Sequence, residues 1–305
     1  MAAQTTVANL KTNKAEEVKV SPSLLQLAVR RLRRDKLSMA AIIILVTMSL
    51  LAYGAPIITK LLGVDPYSIK SASFLPPFSP GHILGTDDLG RDHLARLLYA
   101  GQVSLAIGFL AAILSLVIGV TIGLLTGFFG GVVDDIVIWL ITTINSVPFF
   151  FIVLIIAAVL SPGAETLIIV LGFLGWTGTT RLVRGETLSL REREFVISAR
   201  AIGATPLRIM FNHILPNLIS IILINLAIDI GVIILVEASL SYLGVGVKPP
   251  TATWGNMLTG TQSFFKRGPH LVFWPGLLIF LTVLCLYVLG DGLRDAFDPT
   301  TVDEG

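Results

Sequence analysis

The stretch RGETLSLREREFVISARAIGATPLRIMFNHILP, residues 184–216, decides how the rest of the chain reads. It is polar enough to leave a bilayer and patterned enough to be structured. Arg184, Arg191, Arg193, Arg200 and Arg208, with Arg181 just before it, place it on the cytoplasmic side of a membrane, where basic loops are retained. Gly203 interrupts a helical pattern. Thr205 then offers an N-cap, with Pro206 at the first helical position. The expectation is a helix, a glycine turn and a second helix that leads to Pro216, where a new apolar run begins. Pattern alone leaves another reading open, a structured loop that merely joins two spans.

Working outward, that loop is flanked by long apolar runs. Of 305 residues, 54% are hydrophobic and 14% charged, and mean hydropathy is +0.83. A soluble domain carries about 25% charged residues, so a soluble globular protein, a disordered chain and a basic nucleic-acid binder are all excluded. A helix needs about 20 apolar residues to cross a bilayer. Six stretches approach this, at 37–59, 103–129, 135–160, 166–183, 217–241 and 272–290, so the expected fold class is an all-α polytopic membrane protein. Pro148 must kink or open the third. With both termini inside, the inner segments carry fifteen Lys/Arg against seven outside, which supports an N-in, C-in orientation. Residues 1–20 read as a disordered cytoplasmic tail, 21–36 as an amphipathic helix in the membrane surface, 60–101 as an extracytoplasmic loop and 292–305 as a cytoplasmic tail. Residues 102–291 hold the other five helices.

Individual residues invite chemistry to different degrees. Gly119, Gly123 and Gly127 recur every fourth position, which lets two helix backbones approach; their partner is either internal or another subunit. Asp229 lies near the middle of the fifth span and Glu237 eight residues on, about 80° further round the helix. A carboxylate at such depth faces water or a partner, so both are candidates for a translocation pathway or for structural hydrogen bonding. Asp134 and Asp135 complement the positive end of the third span. Trp254, Phe264 and Phe265 read as exposed aromatics of a docking element, or as interfacial anchors. Four scattered histidines lack metal-ligand spacing, and Cys285 has no partner for a disulfide. No HExxH, CxxC, GxSxG or GxxxxGK[ST] motif is present, so the chain has no recognisable catalytic site and no means of its own to bind ATP.

The spacing of Ala199, Gly203 and Pro216 resembles the EAA loop of ABC importer permeases, whose pattern is E-A-A-x3-G-x9-I-x-L-P. Ile197 and Ser198 stand at the Glu and first Ala places, and His213 replaces the Ile. Further segments are similar to the dipeptide/oligopeptide/nickel permease family: GTDDLGRDHLARLLYAG at 85–101, GWTGTTRLVRGETLSLRERE at 175–194, EASLSYLGVGVKPPTATWGNML at 237–258 and LGDGLRDAFDPT at 289–300. The resemblance covers about residues 22–300 and is strongest to the shorter, C-type permease subunit.

This resemblance implies a type I ABC importer permease in the bacterial plasma membrane, among its lipids. It forms half of a heterodimeric pore with a second permease subunit. Two ABC ATPase subunits bind ATP and Mg, and an extracytoplasmic substrate-binding protein delivers oligopeptides or dipeptides. The chain itself binds no cofactor and no metal; nickel importers in the family give His82 and His93 a minor claim. ATPase coupling would fall to Ala199, Arg200, Ala201, Gly203, Ala204, Arg208 and Pro216. Two rivals remain from the residues alone. One is a proton-coupled secondary transporter using Asp229 or Glu237, and the other is an intramembrane serine hydrolase, for which no Ser/His or Ser/Lys pair stands out.

Overall fold

The computed structural model describes residues 24–160 and 163–298. The segments 1–20 and 299–305, expected as tails, lie outside the described residues. Among the described residues the chain is helical, with isolated β-bridges only at Ser79/His82 and Thr86/Asp92.

Helix α1 (Leu24–Arg34) carries Arg31, Arg33 and Arg34 in its last turn. Asp35 then leaves helical geometry, and its carboxylate accepts from the Leu37 and Ser38 amides, starting α2 (Lys36–Tyr53). Helix α3 (Ala55–Leu62) follows at Gly54 and stops at Gly63, whose φ of 67° ends a helix cheaply. The span expected at 37–59 is therefore two helices.

Helix α4 (His93–Phe129) has 37 residues, about 55 Å of rod. It starts ten residues before the expected span, so the external loop ends at residue 92. Next come α5 (Gly131–Ile144) and α6 (Phe149–Val159), bent by 77° at their junction. Pro148, which has no N–H to continue α5, stands at the start of α6. Helix α7 (Ala164–Arg191) runs past the expected end at 183. It is followed by α8 (Glu194–Ala201), α9 (Pro206–Ile209), a π-helical turn (Met210–Ile214) and α10 (Leu215–Tyr242). The last three join into one rod over Pro206–Tyr242. Helix α11 (His270–Phe297) absorbs part of the segment expected as a tail. Among the described residues, five helices are long and apolar enough to cross a membrane, and the α5–α6 pair makes a sixth crossing if it is counted as one span.

The bundle is held by close backbone approach. A Cβ on Gly119 would sit 2.6 Å from Thr179 Cβ, on Gly123 2.8 Å from Val183 Cβ, and on Gly127 2.6 Å from Thr187 Cβ. The same positions fall within 2.8–3.0 Å of α7 carbonyl oxygens, so only hydrogen fits there. The pairs advance together along both helices, so α4 and α7 run parallel. The bent α5–α6 pair thus carries the chain back along the length of α4. Helix α10 packs antiparallel to α4, with Gly108 against Ile234, and α11 packs antiparallel to α10, with Gly231 against Leu286. Ile107, Ala111, Leu171, Ile233 and Leu240 form the main buried core.

The two ends of the bundle are distinct. One end gathers α1, the α4–α5 junction, α8, α9 and the C-terminus of α11, where the Arg31 guanidinium donates to the Asp298 carbonyl at 2.7 Å. The other gathers α3, residues 63–92 and residues 243–269.

Candidate functional site

The segment between α7 and the Pro206–Tyr242 rod is built as a short helix with two unlike faces. Val196 and Ala199 of α8 are buried against Leu124, Val183, Ile209, Ile214 and Leu218. Three residues apart, they mark one side of the helix. Much of the remaining segment is left open: Ile197 is 52% exposed, Ile202 86% and Leu207 62%, and Arg200, Ala201 and Arg208 are also exposed. Gly203 ends α8 with φ 82°. Its amide donates to the Arg200 carbonyl at 3.0 Å, and the Ala204 amide donates to the Ala199 carbonyl at 3.0 Å. This is a glycine-ended helix stop that a residue with a side chain adopts only with strain. Thr205 Oγ1 accepts from the Arg208 amide at 3.4 Å, with Pro206 opening α9. Ala199 is thus an anchor, while Arg200, Ala201, Gly203 and Arg208 lie outward. Ala204 is half-buried, and Pro216 is exposed within the first turn of α10.

Arginines fix this segment to the bundle. Arg191 Nη1 donates to the Gly127 carbonyl at 3.1 Å. Arg184 makes a two-pronged ion pair with Asp134, its Nη2 lying 2.6 Å from Oδ2. Asp134, expected only to complement a helix end, is therefore also a cross-link between α5 and α7. The Arg200 guanidinium lies 5.9 Å from the Phe128 ring centroid, so one face of this charge is already engaged.

The two membrane carboxylates sit in different surroundings. Asp229 is half-buried; its Oδ2 accepts from Asn225 Nδ2 at 2.7 Å and from Thr179 Oγ1 at 3.3 Å. Glu237 is fully buried. Its Oε2 accepts from Ser104 Oγ at 3.1 Å and its Oε1 from Ser241 Oγ at 2.8 Å. Those two hydroxyl oxygens in turn accept from the Trp254 amide at 3.2 Å and the Val247 amide at 3.1 Å. Glu237 therefore ties α4, α10 and the loop after α10 into one buried network.

The same network corrects the reading of Trp254. Its ring is 2% exposed, lies over Gly101, and donates from Nε1 to the Leu97 carbonyl at 3.2 Å. It is a core residue, and of the three aromatics Phe265 is the clearly exposed one. Asn256 closes the loop by donating to the Val247 and Thr251 carbonyls at 3.0 and 2.8 Å. In the other loop Asp87 receives Arg91 at 2.7 Å and Arg96 at 3.3 Å. His82 is held by Asp92 and Ser71, each at 2.7 Å, and His93 stacks edge-on with His270. Among the described residues no cluster of three metal-ligating side chains forms. Residues 145–148, at the α5–α6 junction, were missed as functional candidates because none of them is charged.

Comparison with known proteins agrees with this architecture. The family model for the binding-protein-dependent transport system inner membrane component matches residues 119–303. That for the N-terminal TM domain of oligopeptide transport permease C matches residues 23–77. The oligopeptide transport system permease protein OppC of Bacillus subtilis is 38% identical over 289 residues, 93% of each chain. The dipeptide transport system permease protein DppC of the same organism is 35% identical over 295 residues, 95% of this chain and 90% of that one. The glutathione transport system permease protein GsiD of Pectobacterium atrosepticum is 39% identical over 221 residues, 72% and 73% of the two chains. A solved structure of the MetNI methionine ABC transporter in inward-facing conformation superposes with a TM-score of 0.51 at 20% identity, covering 66% of this chain and 95% of the matched chain; it speaks for the fold alone. The chain belongs to the family of inner-membrane permease components of binding-protein-dependent ABC transport systems.

Proposed function

We propose that this chain is one half of the pore of an ATP-driven peptide importer, and that α8, the Gly203 turn and α9 seat on an ATPase subunit. The observation that carries the reading is the two-sided α8. Val196 and Ala199 lock it to the bundle, while Ile197, Ile202 and Leu207 lie open. Exposed apolar side chains on an anchored segment, with Arg200 and Arg208 also exposed, suit a protein partner. The arginine-rich end of the bundle faces the cytoplasm, with six crossings and both termini inside. The partners are a second permease subunit, two ATPase subunits that hold ATP and Mg, and an extracytoplasmic binding protein.

Relatives named for oligopeptides, dipeptides and glutathione at similar identity support a substrate class defined by a peptide main chain. Asp229 and Glu237 serve the packing of the bundle. Both are held by hydroxyl or amide donors of neighbouring side chains, and no observation favours a proton-coupled cycle.

The test is reconstitution. The chain is co-expressed with its neighbouring permease and ATPase genes, purified as one complex and placed in proteoliposomes with the binding protein. Uptake of a labelled tripeptide that requires ATP, and is lost when the ATPase cannot hydrolyse it, supports the reading. Failure of the chain to hold any ATPase subunit rejects it.

A further inference from the structure

The α5–α6 junction interrupts the crossing that this pair of helices makes. Gly131–Ile144 and Phe149–Val159 are about 21 Å and about 17 Å of helix, so the break falls near the middle of the pair. The outer surface of α5 and α6 is apolar on either side of it, with Ile136, Trp139 and Ile155 exposed. At the break the surface turns polar: Thr142, Thr143, Asn145 and Ser146 are all exposed. The backbone opens as well. Among the described residues, the carbonyls of Asn145, Ser146 and Val147 accept no hydrogen bond, and the amides of Phe149 and Phe150 donate none. Asn145 touches the bundle through Oδ1, which accepts from Thr177 at 3.4 Å; among the described residues its Nδ2 has no partner.

Hydrocarbon supplies no hydrogen bonds, so a spanning segment with open backbone groups faces protein or a water-filled cavity. Transporters place interrupted helices around a site near the bilayer midplane for this reason. The groups on offer are uncharged and of both kinds, carbonyl acceptors beside amide donors. That combination complements the amide unit of a peptide main chain, whatever its side chains. Thr177 and Thr179 are 200° apart on α7, so α7 stands between this break and Asp229.

We propose that the break at Thr142–Pro148 lines the translocation path and hydrogen-bonds the main chain of the passing peptide. The water-lined path is independent of substrate class; the peptide contact rests on the reading of the chain as a peptide permease. The test uses the full complex in proteoliposomes, in a Cys285→Ala background, since that buried thiol is the only cysteine. Single Asn145→Cys, Ser146→Cys and, as an apolar-surface control, Ile155→Cys variants are treated with a charged methanethiosulfonate. Modification of the first two about tenfold faster than the control, slowed by excess transported tripeptide, is the expected result. Rates no higher than the control mean a lipid or dry subunit contact and overturn the proposal. Asn145→Ala is expected to raise the KM for tripeptide uptake about tenfold at unchanged complex abundance, and an unchanged KM rejects the peptide contact. Tripeptide uptake by the unmodified complex is read separately. Its absence sinks the peptide reading, while the modification rates still report whether water reaches the break.

Discussion

The two ends of the bundle are finished in opposite ways. At the α3 end, residues 63–92 and 243–269 are stitched to the helices by buried polar groups. Glu237 with Ser104 and Ser241, Asp87 with two arginines, and Asn256 with two carbonyls all find partners within the chain. At the α8 end, the connecting segment buries two small anchors and leaves Ile197, Ile202 and Leu207 open. One end ties its long loops down through pairs within the chain, and the other holds a short segment by its apolar anchors and leaves the rest of that segment open. The contrast separates residues whose loss should harm the fold from residues whose loss should harm work done through a partner.

Substitutions at four positions test that separation. Gly203→Pro has the largest expected effect on function. Proline cannot take φ 82° and lacks the amide that bonds Arg200, so ATP-driven uptake should fall to background while membrane abundance stays normal. Normal uptake would erase the proposed role of the turn. Gly123→Leu should act on the fold instead. A side chain there meets Val183 and the Thr180 carbonyl, costing about 3 kcal/mol, seen as lost abundance and a lower thermal midpoint of the purified complex. Glu237→Ala leaves buried hydroxyls of Ser104 and Ser241 without their acceptor and should cost about 2 kcal/mol. Glu237→Gln, which keeps two polar atoms, should recover much of the thermal midpoint. Equal loss of uptake in both variants at unchanged stability would return Glu237 to the path. Ile202→Ala is the mildest. It removes an apolar contact worth about 1 kcal/mol at an interface, so ATPase affinity should drop about fivefold with no change in thermal midpoint.

The helix, turn and helix over 194–209 were legible because their signals are local. A glycine before Thr-Pro states where one helix stops and the next begins, and 202–206 folds as that spacing requires. Gly119, Gly123 and Gly127 were legible for the same reason, although their partner strip of Thr179, Val183 and Thr187 was not. What escaped was non-local. Helix α4 extends ten residues beyond the apolar run to His93, where Asp92 caps it by accepting from the Ala95 amide and Arg96 pairs with Asp87 across a loop, and no window of hydropathy shows that. Trp254 reads as exposed until Leu97 and Ser104, about 150 residues earlier in the chain, are placed around it. Arg184 and Asp134 are 50 residues apart. The polar break at 142–148 was overlooked because the search at depth was for charge, whereas opened backbone carries polarity without any.

The rod from Pro206 to Tyr242 has no interruption other than a π-helical turn. At about 1.5 Å per residue it is about 55 Å long. A tilt of 10° imposed at its α9 end would sweep the far tip sideways by about 10 Å. The far tip is where Glu237 fastens the loop that follows α10. A modest rotation gripped at one face would therefore be magnified into a peptide-sized displacement at the other, without a hinge in between to absorb the stroke.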